Sequence, residues 1–446
     1  MTNIRQNRLP SAWSGLAKVA FRFAFAFFVL LILPLDWRFW KQLFSLNLLH
    51  YRDLFQLTAY SPQFVFTPKW GISSYANWGL ILILALLGGA VWSFVDRKKQ
   101  EYDDLYYWLR VALRYRLAIG MIGYGVLMLA HLLFASPTLS DLNTNYGDFL
   151  PWKIYYLTMG AASAHHEQAL GLVEIVGGIL LLWRSTAIIG AALSAAMLTN
   201  VVLASFAYQL GNHVYASLLM VIALFLVAHD SRRLFNLLFL ERLAKADTYE
   251  PVFATKRLRT SRVLLKTSIV LFVAAYGVSA FASYRESNSP FSAATGLKDS
   301  AGLYNVKEFS INGNALPYSL VDPERWQNVV FEKWNTLSIR INRPVAIDVA
   351  APRIAYQPDD QRDYEIAGNG GRHFYSYSAD TVNGKIRLQG KNDRNENLSF
   401  DYKYLDGGDI LLTGTDQAGN SLRIVLQKVD KRHLLLEGRR HPLSLY

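Results

Sequence analysis

The chain has 446 residues, 52% of them hydrophobic, no cysteine and a formal charge of +12. The missing cysteines exclude disulfides, thiolate catalysis and Cys-ligated zinc or iron–sulfur centres. The charge does not point to nucleic acid: from Arg285 onward 21 Lys+Arg face 20 Asp+Glu, so +11 of the +12 lies in the first part, at the ends of apolar runs where membrane topology and lipid headgroups place it.

Those runs lie between residues 19 and 281. A bilayer core about 30 Å thick needs about 20 apolar helical residues. The pattern predicts seven spans, at residues 19–35, 78–95, 117–134, 169–183, 186–208, 214–228 and 264–281. The first is read as a retained helix, because Pro34-Leu35-Asp36-Trp37 follows it where a signal peptide would carry small residues. Its outer connection, residues 36–77, is rich in Trp, Phe and Tyr and predicts short amphipathic helices along the membrane interface.

Lys and Arg orient the spans. Arg97, Lys98, Lys99, Arg110, Arg184 and the run from Arg232 to Lys266 mark one side, together with the basic N-terminus. The connection 135–168 has one Lys and no Arg, and the turn 209–213 has neither. This alternation predicts a cytoplasmic N-terminus and, after seven crossings, an extracytoplasmic C-terminal domain. From Leu303 the period changes to two: Ile386 and Leu388, Leu398 and Phe400, and Leu422, Ile424 and Leu426 alternate with polar residues. Asn312-Gly313, Asn383-Gly384 and Gly407-Gly408 separate the runs. Eight to ten antiparallel strands in a sandwich or small barrel are expected. His373, His433 and His441 show no catalytic spacing there.

Ionisable groups inside a membrane are costly and default to functional hypotheses. Glu174 stands in Gly171-Leu-Val-Glu174-Ile-Val-Gly177-Gly178, with Gly171 and Gly178 on its helical face, so that face points into the bundle. At 1.5 Å per residue it lies roughly 7 Å below the outer surface. His131, Asn200, His165, His166 and His213 fall at a similar depth, and Tyr124 shares the face of His131. Glu174 and His131 are the candidate catalytic pair; Tyr124, His165, His166, Asn200 and His213 are candidate ligand-binding residues. A metal ion is not expected, because the consecutive His165-His166-Glu167 cannot all face one ion.

Residues 109–238 resemble the DoxX family of bacterial membrane proteins. Arg114-Tyr115, Tyr124-Gly125, Gly160, the run Gly171-Leu-Val-Glu174-Ile-Val-Gly177-Gly178 through Arg184-Ser-Thr186, Asn200-Val-Val, Tyr208 and Asp230-Ser-Arg232-Arg233 carry the likeness. It implies a four-helix bundle in the bacterial cytoplasmic membrane, like small subunits associated with quinol oxidase and thiosulfate:quinone oxidoreductase chemistry. The domain order is then two N-terminal spans (1–108), the bundle (109–238), a basic cytoplasmic linker (239–262), a seventh span (263–284) and an extracytoplasmic β-domain (300–446). Three functions remain open: a redox-associated protein binding a quinone-like lipid, with no built-in cofactor; a non-enzymatic anchor whose β-domain binds an envelope partner; and a transporter of a small or lipidic solute. Membrane lipids and a protein of the membrane or envelope are the expected partners, and nucleic acid is not.

Overall fold

The computed structural model describes residues 13–47, 50–68, 70–134, 136–161, 164–242, 256–286, 294–344 and 371–438; His441 and part of the basic linker lie outside them. The chain forms two compact units. One, helical, comprises Met1–Leu127, Leu170–Phe206 and Gly211–Phe281. The other comprises Met128–Ala169, Ala207–Leu210 and Ala282–Tyr446.

In the helical unit, α1 (Gly15–Ile32) starts where the Ser14 hydroxyl accepts the Ala17 N–H. After α2 (Trp37–Phe44) and α3 (Tyr51–Thr58) comes α4 (Ala76–Val95), which packs on α1. A Cβ on Gly89 would lie 3.3 Å from the Phe23 backbone, so a bare glycine sets that approach. The remaining long helices are α5 (Asp103–Leu129), α8 (Ala164–Leu182), α9 (Ala187–Ala207), α10 (His213–His229) and α12 (Lys256–Glu286). Two short ones, α6 (Leu139–Leu142) and α7 (Pro151–Ala161), follow α5, and α11 (Ser231–Leu238) follows α10.

Among the described residues five helices are long and apolar enough to cross a membrane, or six if α10 and the bent α11 count as one. The protein is therefore membrane-associated, with fewer qualifying helices than the seven expected spans. Of the two shortfalls, α10 has only 17 residues, and α8 opens on His165, His166, Glu167 and Gln168, which dilute its apolar character. Helix α5 also begins well before the expected residue 117. Leu109, Leu113 and Leu117 continue one buried stripe at i, i+4 and i+8, hidden in the sequence by the arginines between them.

The connection 36–77 forms the short helices expected of it, of two kinds. Helix α2 is exposed, with Trp37 and Phe44 uncovered, but α3 is buried through Tyr51, Leu54, Phe55 and Thr58. Arg116 of α5 donates to the carbonyls of Thr58 (3.1 Å) and Tyr60, and the Tyr215 hydroxyl of α10 donates to the same Thr58 carbonyl at 2.7 Å. Those bonds satisfy the end of α3 where water would otherwise be needed. The Tyr276 hydroxyl of α12 reaches the Gly123 carbonyl of α5 at 2.8 Å.

The second unit is built on a β-barrel. Its strands are β1 (Gly302–Ile311), β2 (Asn314–Ala315), β3 (Asn328–Phe331), β4 (Thr336–Arg340), β5 (Arg372–Asp380), β6 (Lys385–Gly390), β7 (Asn397–Tyr404), β8 (Ile410–Thr415) and β9 (Ser421–Val429). All neighbours are antiparallel, and β1 pairs with β9, closing an eight-stranded up-and-down barrel to which the short β2 is appended. Closure leaves no free edge among the eight strands. Asn312 and Gly313 both take positive φ, 51° and 81°, which the tight β1–β2 turn requires. The alternating residues read from sequence face inward: Ile386, Leu388, Leu398, Phe400, Leu422, Ile424 and Leu426 join Trp326, Phe331, Leu337 and Tyr375 in one filled core. Arg325 is buried with them, its guanidinium donating to the carbonyls of Leu316, Trp326 and Val306 and lying 5.3 Å from the Phe309 ring centre.

One part of the wall breaks the alternation. Strand β6 buries every second residue, whereas β3, β4 and the start of β5 are buried on both faces. The connection between α5 and α8 covers their outward face. Its α6 is fixed by a capping box between Thr138 and Asp141, and its Asp148 reaches Arg340 of β4 at 3.5 Å. Residues 128–169, which take in the end of the expected span 117–134 and the expected connection 135–168 of the bundle, thus group with the barrel.

Candidate functional site

Glu174 occupies the contact between α5 and α8. A Cβ on Gly125 would stand 2.7 Å from the Gly171 carbonyl oxygen and 3.1 Å from the Glu174 Cβ; one on Gly178 would stand 3.0 Å from the Ala118 carbonyl. The glycines therefore let the two backbones touch, as their spacing suggested. Glycine does the same between α8 and α9, where a Cβ on Gly190 would meet the Gly177 carbonyl at 2.8 Å. Glu174 is only 4% exposed, and its Oε2 has no hydrogen-bond partner among the described residues. The hydroxyl of Ser194, packed under Gly177, is also buried without one. Buried polar groups are nearly always satisfied, so an orphaned carboxyl inside a helical bundle marks a place able to carry a proton or take a hydrogen bond from a guest.

The other expected site residues have their own partners. Tyr124 stacks on Tyr215 at 5.9 Å and meets Phe55 edge-on at 5.0 Å. His213 is 1% exposed, its Nε2 lies 2.8 Å from the Ser74 hydroxyl, and its ring is lined by Trp70, Tyr75 and Phe206. Both therefore serve to seat the connection 36–77 on the helices. Asn200 is exposed on α9. In the other unit His131 follows the end of α5 with φ 51°, and its Nδ1 lies 2.9 Å from Glu167. Glu167 is buried and accepts the Phe134 N–H at 3.2 Å through its other oxygen. His165 and His166 are exposed, with His165 3.3 Å from Gln168. Of the six polar groups expected at one depth, Glu174, Asn200 and His213 lie in the helical unit and His131, His165 and His166 in the other.

A further buried polar cluster lies in the barrel unit, and the sequence does not point to it. Glu332, just past β3, is 2% exposed, and its two oxygens accept the N–H groups of Leu139 (3.1 Å) and Ser140 (2.8 Å). The Ser140 and Ser338 hydroxyls are 2.7 Å apart. Arg372, 1% exposed, donates to the Ser338 hydroxyl and carbonyl, to the Asn328 side chain and to the Asn143 carbonyl. Lys153 lies 3.3 Å from Asp141. Burial pushes the Glu332 carboxyl up to about 7, against the opposing hydrogen bonds from Ser140 and Leu139 and with help from the Asp141 charge. Burial, with Arg340 nearby, lowers the Arg372 guanidinium to about 9, still charged at neutral pH. In sequence Glu332 and Arg372 look like ordinary outward-facing strand residues; only the doubly buried strands beside them reveal that the wall is covered.

Arg116 and Tyr215 were missed as well. An arginine thirteen residues into a 27-residue helix was the available signal, since such a group needs internal acceptors. Arg114, quoted for the family likeness, donates to the Leu181 and Leu182 carbonyls at the end of α8. Among the described residues no three His, Cys, Asp or Glu side chains converge as a metal site. Comparison of the chain with protein-family models, with curated proteins and with solved structures gives no match, so the DoxX likeness rests on the quoted residues alone.

Proposed function

We propose that this is a multi-pass protein of the bacterial cytoplasmic membrane that holds a β-barrel on its extracytoplasmic face as a docking module for a protein of the envelope. The observation that carries the reading is the buried cluster around Glu332 and Arg372, which fastens the connection 138–153 into the barrel wall. That connection and the barrel therefore share one side of the membrane, and the Lys/Arg-poor composition of the connection favours the outer side. The filled core argues for recognition on the outside of the barrel rather than for carriage of a ligand within it. Tyr318, Leu320 and Val382 carry large hydrophobic surface and are 63%, 64% and 91% exposed, and give positions for a probe. A photoreactive residue placed singly at each, in the full chain in intact cells, should give a discrete protein adduct from at least one face. Adducts to lipid alone, or none at any position, would contradict the reading.

One observation favours a second function. The unpartnered Oε2 of Glu174 suits a guest that donates a hydrogen bond or exchanges a proton, and a quinone-like lipid headgroup reaching between α5 and α8 has that chemistry. A DoxX-like bundle of this kind would work beside a separate electron carrier. The purified protein should then bring quinone with it, and Glu174→Gln should lose it. Equal quinone content in both preparations, or none in either, removes this reading.

A further inference from the structure

The basic end of the bundle carries a short helix with an uncovered apolar face. Helix α11 leaves α10 at Asp230 with a bend of 61°. Leu234, Phe235 and Leu237 fall on one side of it, and Arg232, Arg233 and Asn236 on the other. Phe235 and Leu237 are 52% and 44% exposed, and Phe239 and Leu240, which continue the run, 74% and 42%. The Phe235 and Phe239 rings stack at 5.3 Å, forming one hydrophobic surface. In water such a face would be a liability on an eight-residue helix, too short to hold itself together.

The charge that follows it in the sequence points to what covers it. Residues 231–266 contain nine Lys or Arg (Arg232, Arg233, Arg242, Lys245, Lys256, Arg257, Arg259, Arg262 and Lys266) against Glu241, Asp247 and Glu250, a balance of +6. A helix that continues from an apolar candidate span, turns sharply, shows aromatic and Leu residues on one face and Arg on the other has the composition of a helix lying in the membrane interface. We propose that α11 is an interfacial anchor that seats Phe235, Leu237 and Phe239 below the headgroups and binds anionic lipid through Arg232 and Arg233. The occupant is a negatively charged lipid surface rather than a folded protein, because exposed apolar side chains stand next to arginines on the same short helix and the sequence that follows continues the basic excess. The assignment depends on the membrane association of the helices and is independent of what the barrel binds.

The absence of cysteine makes a local test clean. Phe239→Cys and Asn236→Cys, each in the full chain, are spin-labelled and reconstituted into nanodiscs of phosphatidylcholine alone or of phosphatidylcholine with phosphatidylglycerol. Collisions with oxygen report lipid contact and those with a water-soluble nickel chelate report solvent. With the anionic lipid, the label at 239 should be open to oxygen and shielded from nickel, and the label at 236 the reverse. Zwitterionic discs, high salt, or Arg232→Gln with Arg233→Gln should each return position 239 toward the pattern of 236. If both positions are equally open to nickel in every lipid, the helix does not lie in the interface. If 239 is buried to the same extent whatever the lipid charge and with both arginines replaced, the anionic selectivity is wrong. Either result overturns the proposal.

Discussion

Buried carboxylates are held differently in the two units, although both units also bury hydrogen-bonded arginines, Arg22 among them in the helical one. In the barrel unit Arg325, Arg372 and Glu332 are almost fully enclosed, and each is held by several hydrogen bonds. In the helical unit Glu174 is as deeply enclosed, and one of its oxygens has no partner among the described residues. A satisfied buried charge is explained by architecture: remove it and the structure weakens, because its partners are left desolvated. An orphaned one weakens the structure it sits in and asks for another reason to be there. Residues such as Glu332 and Arg372 fasten this protein together, whereas Glu174 is a buried carboxylate with an oxygen left over for chemistry.

The largest effect is expected at Arg372. Replacing it with Met strands the Ser338 and Asn143 carbonyls and the Asn328 side chain, and should cost about 3–5 kcal/mol in denaturant unfolding of the barrel unit. A loss below about 1 kcal/mol would mean that the cluster is not a fastening. The pH dependence comes next. The carboxyl of Glu332 is raised in the folded state, so the unfolded chain ionises first, and the associated stability is complete below pH 4.5 and declines as pH rises through about 7. A shift from 4.5 to about 7 corresponds to about 3 kcal/mol. Glu332→Gln should flatten that slope between pH 4.5 and 7; an unchanged slope would assign the titration to another group.

In the helical unit, Gly125→Leu forces a side chain into the Gly171 carbonyl and should lower thermal stability by about 1–3 kcal/mol. Wild-type stability would show that α5 and α8 are not in close contact. The smallest effect belongs to Glu174. Glu174→Gln should leave stability within about 0.5 kcal/mol of wild type or raise it, because no bond made by Oε2 is lost. A loss of several kcal/mol would place Glu174 among the structural charges and erase the contrast between the units.

What could be read from the residues divides along the same line. Inward residues such as Phe400 and Ile424 were legible because a strand alternates strictly and asparagine–glycine pairs punctuate it. The glycines around Glu174 were legible because small residues at helical spacing have few other uses in a bundle. The partners of His131 and His213 were not, since depth along a helix says nothing about which neighbour a ring turns toward. Nor was the burial of α3: its amphipathic pattern fits a membrane interface and a groove between helices equally well, and Arg116 and Tyr215 decide between them. The covering of β3–β5 was hidden most completely, because it joins residues such as Ser140 and Ser338, distant in sequence and unremarkable in type.

That last pair can be used to ask whether the connection after α5 is fastened into the barrel wall. The two hydroxyls lie 2.7 Å apart in a chain without cysteine. Ser140→Cys with Ser338→Cys in native membranes, mildly oxidised, should form one intramolecular disulfide joining the peptides that carry positions 140 and 338, seen by mass spectrometry after digestion. Two free thiols under the same oxidation, in a protein that is otherwise folded, would mean that the connection is not fastened into the wall.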